Sequence, residues 1–152
     1  QCGTQQTLVD TRLIYPIPSG GAVYFERNNA TWKEITSDLL GPFGYTFPDP
    51  TVCYIRKFRL RALYYDQNAG GSYYLEVKID ANNSSAIFRL PTIASGGGNA
   101  QAFSDWYQFG QGTAAEINKG HGRLSARFVS SAPYNNNAAI YYITLEAHDF
   151  RR

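Results

Sequence analysis

The chain has 152 residues, of which 43% are hydrophobic, 15% aromatic and only 17% charged, and its formal net charge is +2. This length suits one domain with one core, and the composition excludes disordered and coiled-coil proteins. The small, dispersed charge argues against nucleic acid as the main partner, and no apolar run approaches the roughly 20 residues that span a bilayer. We therefore expect a single domain over residues 1–152 without a membrane span.

The N-terminus and the cysteines favour an exported protein. The sequence begins at Gln1 and contains no Met, which favours removal of a signal or pro-segment. Cys2 and Cys53 are the only cysteines, and an even number in an exported chain predicts one disulfide, with two separate buried thiols as the alternative. Two cysteines alone do not make a four-ligand zinc site. We expect an extracellular, secreted or virion-surface protein without metal or cofactor.

Alternation with a period of two recurs along the chain between Gly, Asn and Pro residues, which is typical of β-strands. It predicts eight strands, at residues 7–15, 22–26, 52–65, 72–80, 86–90, 103–109, 122–130 and 139–148. In the fourth strand Leu75 and Val77 fall on one face and Glu76 on the other; in the last strand Tyr141 shares a face with Ile143. One apolar and one polar face per strand is typical of antiparallel sheets.

One predicted strand carries a row of cations. They are Arg56, Lys57, Arg59 and Arg61, interleaved with Phe58 and Leu60. This alternation predicts a polar strand face in contact with solvent.

Residues 31–42 carry a helical signal. Thr31 and Glu34 have capping-box spacing, apolar residues follow at helical intervals, and Gly41 precedes a proline that ends the run. We expect one short helix in an early crossover, with Trp32 buried in the core. Eight strands and this helix predict an all-β fold, an antiparallel sandwich of the jelly-roll type, with another sandwich topology as the alternative.

The sequence offers few groups for catalysis. Its histidines are His121, in a Gly-flanked turn, and His148, at the end of the last predicted strand. No nucleophile elbow, metalloprotease, phosphate-binding or dinucleotide-binding motif is present, and nothing selects a pair of carboxylates among the twelve acidic residues. We therefore expect no catalytic residues and no enzymatic activity.

Carbohydrate binding is one of two functional hypotheses. If each strand crosses the sandwich once, alternate loops meet at one pole, where the amide, carboxylate and aromatic groups are Asp66, Asn68, Tyr134, Asn135 and Asn136. Such groups pair with sugar hydroxyls and cover the apolar face of a sugar, although they are also common in ordinary turns. Trp106 has two interpretations: an exposed platform for a sugar, or a residue buried at a subunit contact. Glycans are thus a predicted alternative partner, of a lectin or carbohydrate-binding module.

Assembly with copies of itself is the hypothesis that we favour. The segment 1–15 has apolar residues on both faces of its predicted strand: Leu8, Val9, Leu13, Ile14 and Tyr15. A strand that is apolar on both faces can be buried between partners, as in strand donation; the alternative is that it completes its own sheet. We expect a structural subunit of an extracellular filament or of a virus or phage particle.

Overall fold

The computed structural model describes residues 9–15, 23–26, 31–36, 46–66, 73–81, 84–91, 98–130 and 137–152. Within these ranges the chain forms nine strands and one helix. The strands are β1 (Val9–Tyr15), β2 (Val23–Glu26), β3 (Lys33–Thr36), β4 (Tyr54–Asp66), β5 (Tyr73–Ala81), β6 (Ser84–Arg89), β7 (Gly98–Phe103), β8 (Arg123–Ser130) and β9 (Asn137–Arg151). The helix, α1 (Gln111–Asn118), lies between β7 and β8.

The strands form two antiparallel sheets. Sheet A has the order β1-β9-β4-β7, with β2 pairing with the other end of β9, and sheet B has the order β3-β8-β5-β6. Every connection from β2 onward passes from one sheet to the other, except for the β5–β6 hairpin. This strand order is that of a jelly roll, which confirms the predicted fold class.

The core lies between the sheets and is built from alternate residues of each strand. Sheet A contributes Phe58 and Leu60 of β4, and sheet B contributes Val77 of β5 and Phe128 of β8; each is fully buried. Burial of each such side chain stabilises the fold by about 1.5–3 kcal/mol. The alternation predicted for these strands is therefore confirmed.

In β9 the alternation is interrupted. The register with β4 shifts between Leu63 and Tyr64, which pair with Tyr142 and Ile140, so that Tyr141 is an extra residue. The shift leaves Ile140 and Ile143 both buried, whereas Tyr141 is half-buried with its ring centroid 6.5 Å from that of Tyr65. The prediction that Tyr141 shares a face with Ile143 is wrong because of this β-bulge.

The predicted early helix is wrong at residues 31–36. Lys33–Thr36 form β3, an edge strand in which Lys33 pairs with Ala126 of β8. The free edge of β8 supplies backbone hydrogen-bond partners that outweigh a local capping signal. Trp32 is half-buried rather than in the core, and its ring centroid lies 4.6 Å from Lys78 Nζ and 4.3 Å from Arg127 Cζ on the outer face of sheet B.

The sixth predicted strand, residues 103–109, is also displaced. The strand in this region, β7, ends at Phe103 where the prediction begins, and beyond it an isolated bridge joins Tyr107 to Phe58. The helix α1 follows in this late crossover, and sequence analysis missed it. It packs through Ile117 and Thr113, which are buried.

The N-terminal strand pairs within its own chain. Val9 pairs with His148 and Leu13 with Thr144 of β9, and the side chain of Ile14 is fully buried in the core. In this structure β1, which ends at Tyr15, thus completes its own sheet, while donation of this strand to a neighbour stays a prediction. Leu8 lies outside the described residues.

The predicted disulfide also stays a prediction. Cys53 is half-buried immediately before β4, whereas Cys2 lies outside the described residues.

Candidate functional site: the outer face of sheet A

The outer face of sheet A carries three of the four cations that the sequence places in one row. Phe58 and Leu60 point into the core, so Lys57, Arg59 and Arg61 point outward and are half-buried. Their cross-strand partners on β9 are His148, Glu146 and Thr144, respectively. The prediction of a polar strand face is confirmed for these three.

The fourth cation, Arg56, is on the inner face, and its prediction as part of the solvated row is wrong. It is 5% exposed, and its guanidinium donates hydrogen bonds to both carboxylate oxygens of Asp149, at 2.7 and 2.9 Å. It also donates to Asn118 Oδ1, at 2.9 Å, and to the Pro48 carbonyl. This buried charge is stabilised because Nε, Nη1 and Nη2 of the guanidinium each donate a hydrogen bond to an acceptor.

Aromatic rings lie among the outward cations. Phe103 ends β7 opposite Arg61 and is 39% exposed. Trp106 follows β7 and is positioned by two backbone hydrogen bonds between its neighbour Tyr107 and Phe58, at 2.7 and 2.8 Å. Trp106 is half-buried, and its contacts with Arg59 of β4 and His148 of β9 place it on this face.

Neighbouring rings and cations contact one another across the face. The Trp106 ring centroid is 5.4 Å from that of His148 and 5.5 Å from that of Phe150. The Arg59 guanidinium lies 3.8 Å from the Phe103 centroid and 4.5 Å from that of Trp106. Each such cation–π contact contributes about 0.5–2 kcal/mol. We call this surface the aromatic face; its residues are Lys57, Arg59, Arg61, Phe103, Trp106, Tyr142, Glu146, His148 and Phe150.

The aromatic face carries more positive than negative charge. Glu146 accepts a 3.0 Å salt bridge from Arg59. Among the described residues, no carboxylate lies within 4.0 Å of the charged groups of Lys57 or Arg61. On the outer face of sheet B, by contrast, two arginines have a carboxylate partner: Glu76 pairs with both Arg89 and Arg127, at 3.0 and 2.8 Å.

A hollow of about 330 Å³ opens on the aromatic face. Its lining comes from four strands: Thr11, Arg61, Phe103, Tyr142, Thr144 and Glu146. The Tyr142 hydroxyl accepts a hydrogen bond from Gln101 Nε2, and Thr144 Oγ1 donates a long, 3.4 Å bond to the Arg61 carbonyl. The hollow thus combines a guanidinium, hydroxyls and an aromatic wall.

The predicted glycan-binding pole is only partly described. By register, Asp66 at the end of β4 lies beside Gly98, where β7 begins, and Ala138, near the start of β9. The strand ends that flank the predicted loops therefore meet at one end of sheet A. Asn68, Tyr134, Asn135 and Asn136 lie outside the described residues, so their role stays a prediction.

Trp106 does not belong to that pole. It contacts Arg59, which is seven residues from Asp66 along β4. At the rise of an antiparallel strand this is about 24 Å. One sugar ring does not reach both.

Among the described residues, no group of three His, Cys, Asp or Glu side chains is arranged to hold a metal ion. In the same part of the chain, no helix is long and apolar enough to cross a membrane.

Comparisons with known proteins give likenesses of fold alone. No family model and no curated protein matches the chain. Among solved structures, the Eiger TNF from S. frugiperda is 8% identical with a TM-score of 0.48, over 96% of this chain and 94% of that one. A structure of infectious bursal disease virus, Gx strain, is also 8% identical, with a TM-score of 0.37, over 95% of this chain and a 33% share of that one. The jelly-roll assignment rests on the strand order described above.

Proposed function

We propose that this domain is a non-enzymatic structural subunit of an extracellular filament or of a virus or phage particle, and that it assembles with copies of itself through the aromatic face. The observation that carries the proposal is a sheet face on which rings and cations interleave without a covering segment among the described residues. The one histidine on this face, His148, stacks on Phe150 with ring centroids 4.3 Å apart. It therefore serves packing in this proposal, and no acid–base role is assigned to it.

The composition of the aromatic face supports a protein partner. Tryptophan, tyrosine and arginine are the residues that most often dominate binding energy at interfaces. Here Trp106, Arg59 and Tyr142 lie on one surface, held by contacts within the chain before any partner binds. A surface that is already ordered loses little side-chain entropy on association.

The size of the aromatic face supports a second copy as the partner. The aromatic face extends along β4 from Ile55, which pairs with Phe150, to Leu63, which pairs with Tyr142, and this distance is about 27 Å at the usual strand rise. At Arg61 the strands β1, β9, β4 and β7 lie side by side, so the face is about 19 Å wide there. The face therefore covers at most roughly 500 Å² per copy, at the lower end of what specific protein interfaces bury. The resulting contact is large enough for a specific and reversible dimer or a repeating assembly.

The first experiment is the native mass of the protein by light scattering across a concentration series. We compare the wild type with Phe103→Ser, on the aromatic face, and with Ile87→Ser, a matched control on the outer side of sheet B where Ile87 is 46% exposed. Loss of a ring at the interface should raise the dissociation constant roughly tenfold or more.

We expect the mass of the wild type to rise with concentration, Phe103→Ser to weaken this rise, and Ile87→Ser to leave it unchanged. A wild-type monomer at all concentrations would remove the assembly proposal. Equal effects of the two variants would move the contact away from the aromatic face.

A further inference from the structure

Repulsion between like charges opposes contact between two aromatic faces. Each copy brings Lys57, Arg59 and Arg61 against the single carboxylate of Glu146. When the surfaces lose water, the effective dielectric constant falls and repulsion between like charges grows. Association of two copies is therefore favoured by any group that neutralises these cations without obstructing the face.

The hollow on the aromatic face has the chemistry to hold such a group. Arg61 presents guanidinium N–H donors in a planar fork that suits an oxyanion. Because Tyr142 already accepts a hydrogen bond from Gln101, its own hydroxyl proton is available to a ligand. Thr11 adds a second hydroxyl from β1, and the ring of Phe103 forms an apolar wall.

The carboxylate that lines the hollow does not cancel this preference. Glu146 is 8% exposed, and its Oε1 accepts hydrogen bonds from Nε and Nη2 of Arg59, at 3.2 and 3.0 Å. Its charge is thus offset by Arg59 on the same face. No carboxylate among the described residues pairs with Arg61, so its guanidinium can bind an anion.

We propose that this hollow binds an oxyanion of the sulfate, phosphate or carboxylate class, and that the bound anion promotes association of two copies through the aromatic face. The first half stands on the hollow itself, and the second half rests on the proposed function. Since binding free energies are linked, an anion that favours association binds more tightly to the associated form. The volume of about 330 Å³ also admits an anion carried on a sugar ring, since small-molecule pockets begin at about this size.

The anion site is tested on dilute protein, by calorimetric titration at constant ionic strength with sodium chloride as the balancing salt. The probes are sodium sulfate, sodium glucuronate and uncharged glucose. The variants are Arg61→Gln, Arg61→Lys and Arg123→Gln, the last being a matched loss of charge at an exposed position of sheet B.

We expect sulfate to bind the wild type and Arg123→Gln alike, and Arg61→Gln to bind it at least roughly tenfold more weakly, with partial recovery in Arg61→Lys. Tighter binding of glucuronate than of sulfate would assign the hollow to an acidic sugar, and equal or weaker binding would assign it to the oxyanion alone. Binding of glucose as tight as that of sulfate would overturn the anion site. So would sulfate binding that is absent or unchanged in Arg61→Gln.

The link to assembly is tested by sedimentation velocity of concentrated protein in sulfate and in chloride of equal ionic strength. We expect sulfate to strengthen association of the wild type several-fold. Because Arg61 lies on the aromatic face, Arg61→Gln has its own association constant in chloride, and we expect sulfate to leave that constant unchanged. Sulfate binding without association in either salt would contradict the proposed function and leave the anion site standing. Association that ignores sulfate in the wild type would contradict the link alone.

Discussion

Arg56 points into the sandwich, where Asp149 is its ionic partner and both side chains are almost completely buried. The nearby cations Lys57 and Arg59 point outward, so Arg56 has a different environment from both of them. The partners of Arg56 come from β9, α1 and the segment before β4, since Asp149, Asn118 and Pro48 each accept a hydrogen bond. The pair therefore joins parts of the chain that are distant in sequence.

Removal of one member of this pair should be far more harmful than removal of both. Arg56→Met leaves the Asp149 carboxylate buried without a cation, and we expect it to lower the free energy of unfolding by about 3–5 kcal/mol. The double variant Arg56→Met with Asp149→Leu should recover much of this loss. Guanidinium denaturation measures both, with Lys119→Met, which loses an exposed ion pair to Glu116, as the control. A double variant as unstable as the sum of its single variants would contradict the account.

The environment of Tyr64 predicts how the free energy of unfolding changes at alkaline pH. It is fully buried, its hydroxyl donates a 2.7 Å hydrogen bond to the Pro91 carbonyl, and burial raises the pKa of Tyr64 from 10.0 to about 12. Because the folded-state pKa lies above the unfolded value, the stabilisation is complete below pH 10 and is lost as the pH rises toward 12. We expect wild type to lose stability relative to Tyr64→Phe over this range, by urea denaturation. A difference that stays constant with pH would contradict this expectation.

At the scale of elements, pairing with the edges of the sheets determined the structure of two segments that local sequence signals did not specify. β3 forms where a helix was predicted because it pairs with an edge of β8 that would otherwise lack a partner strand. β1 pairs with β9 along six residue pairs. Both pairings join segments about 90 residues or more apart in sequence. A capping signal or an apolar strand does not specify such a distant partner.

Deletion of residues 1–15 tests the role of β1. It removes the buried Ile14 and exposes the edge of β9, so we expect the free energy of unfolding to fall by at least about 3 kcal/mol. If the strand can be donated between chains, a synthetic peptide of residues 1–15 restores the stability and a scrambled peptide does not. Unchanged stability after the deletion, measured by denaturation, would show that β1 is dispensable.

At the scale of the whole molecule, the two sheets share one core and are expected to unfold together. Each sheet has one tryptophan on its outer face: Trp106 on sheet A and Trp32 on sheet B. Trp32→Phe leaves fluorescence from sheet A, and Trp106→Phe leaves it from sheet B. We expect the fluorescence transition of each variant to coincide with its own far-ultraviolet circular dichroism transition in dilute protein. Transitions that separate would mean that residues 1–152 do not behave as one cooperative domain.

The sequence by itself determined the class of the fold and the faces of most strands. Alternation is a local property, because successive side chains of a strand point to opposite sides, and it correctly placed Phe58, Leu75 and Val77 in the core. It also placed Lys57, Arg59 and Arg61 outside.

Only the tertiary structure decided which of these residues meet. The aromatic face joins Arg61, Phe103 and Tyr142 from three strands, and the hollow depends on the order β1-β9-β4-β7, which no local pattern encodes. Likewise, Arg56 is held inside by Asp149 from 93 residues away. The physical reason is the same in each case: strand pairing and ion pairing are set by the free energy of the whole fold, whereas alternation is set by the geometry of a single strand.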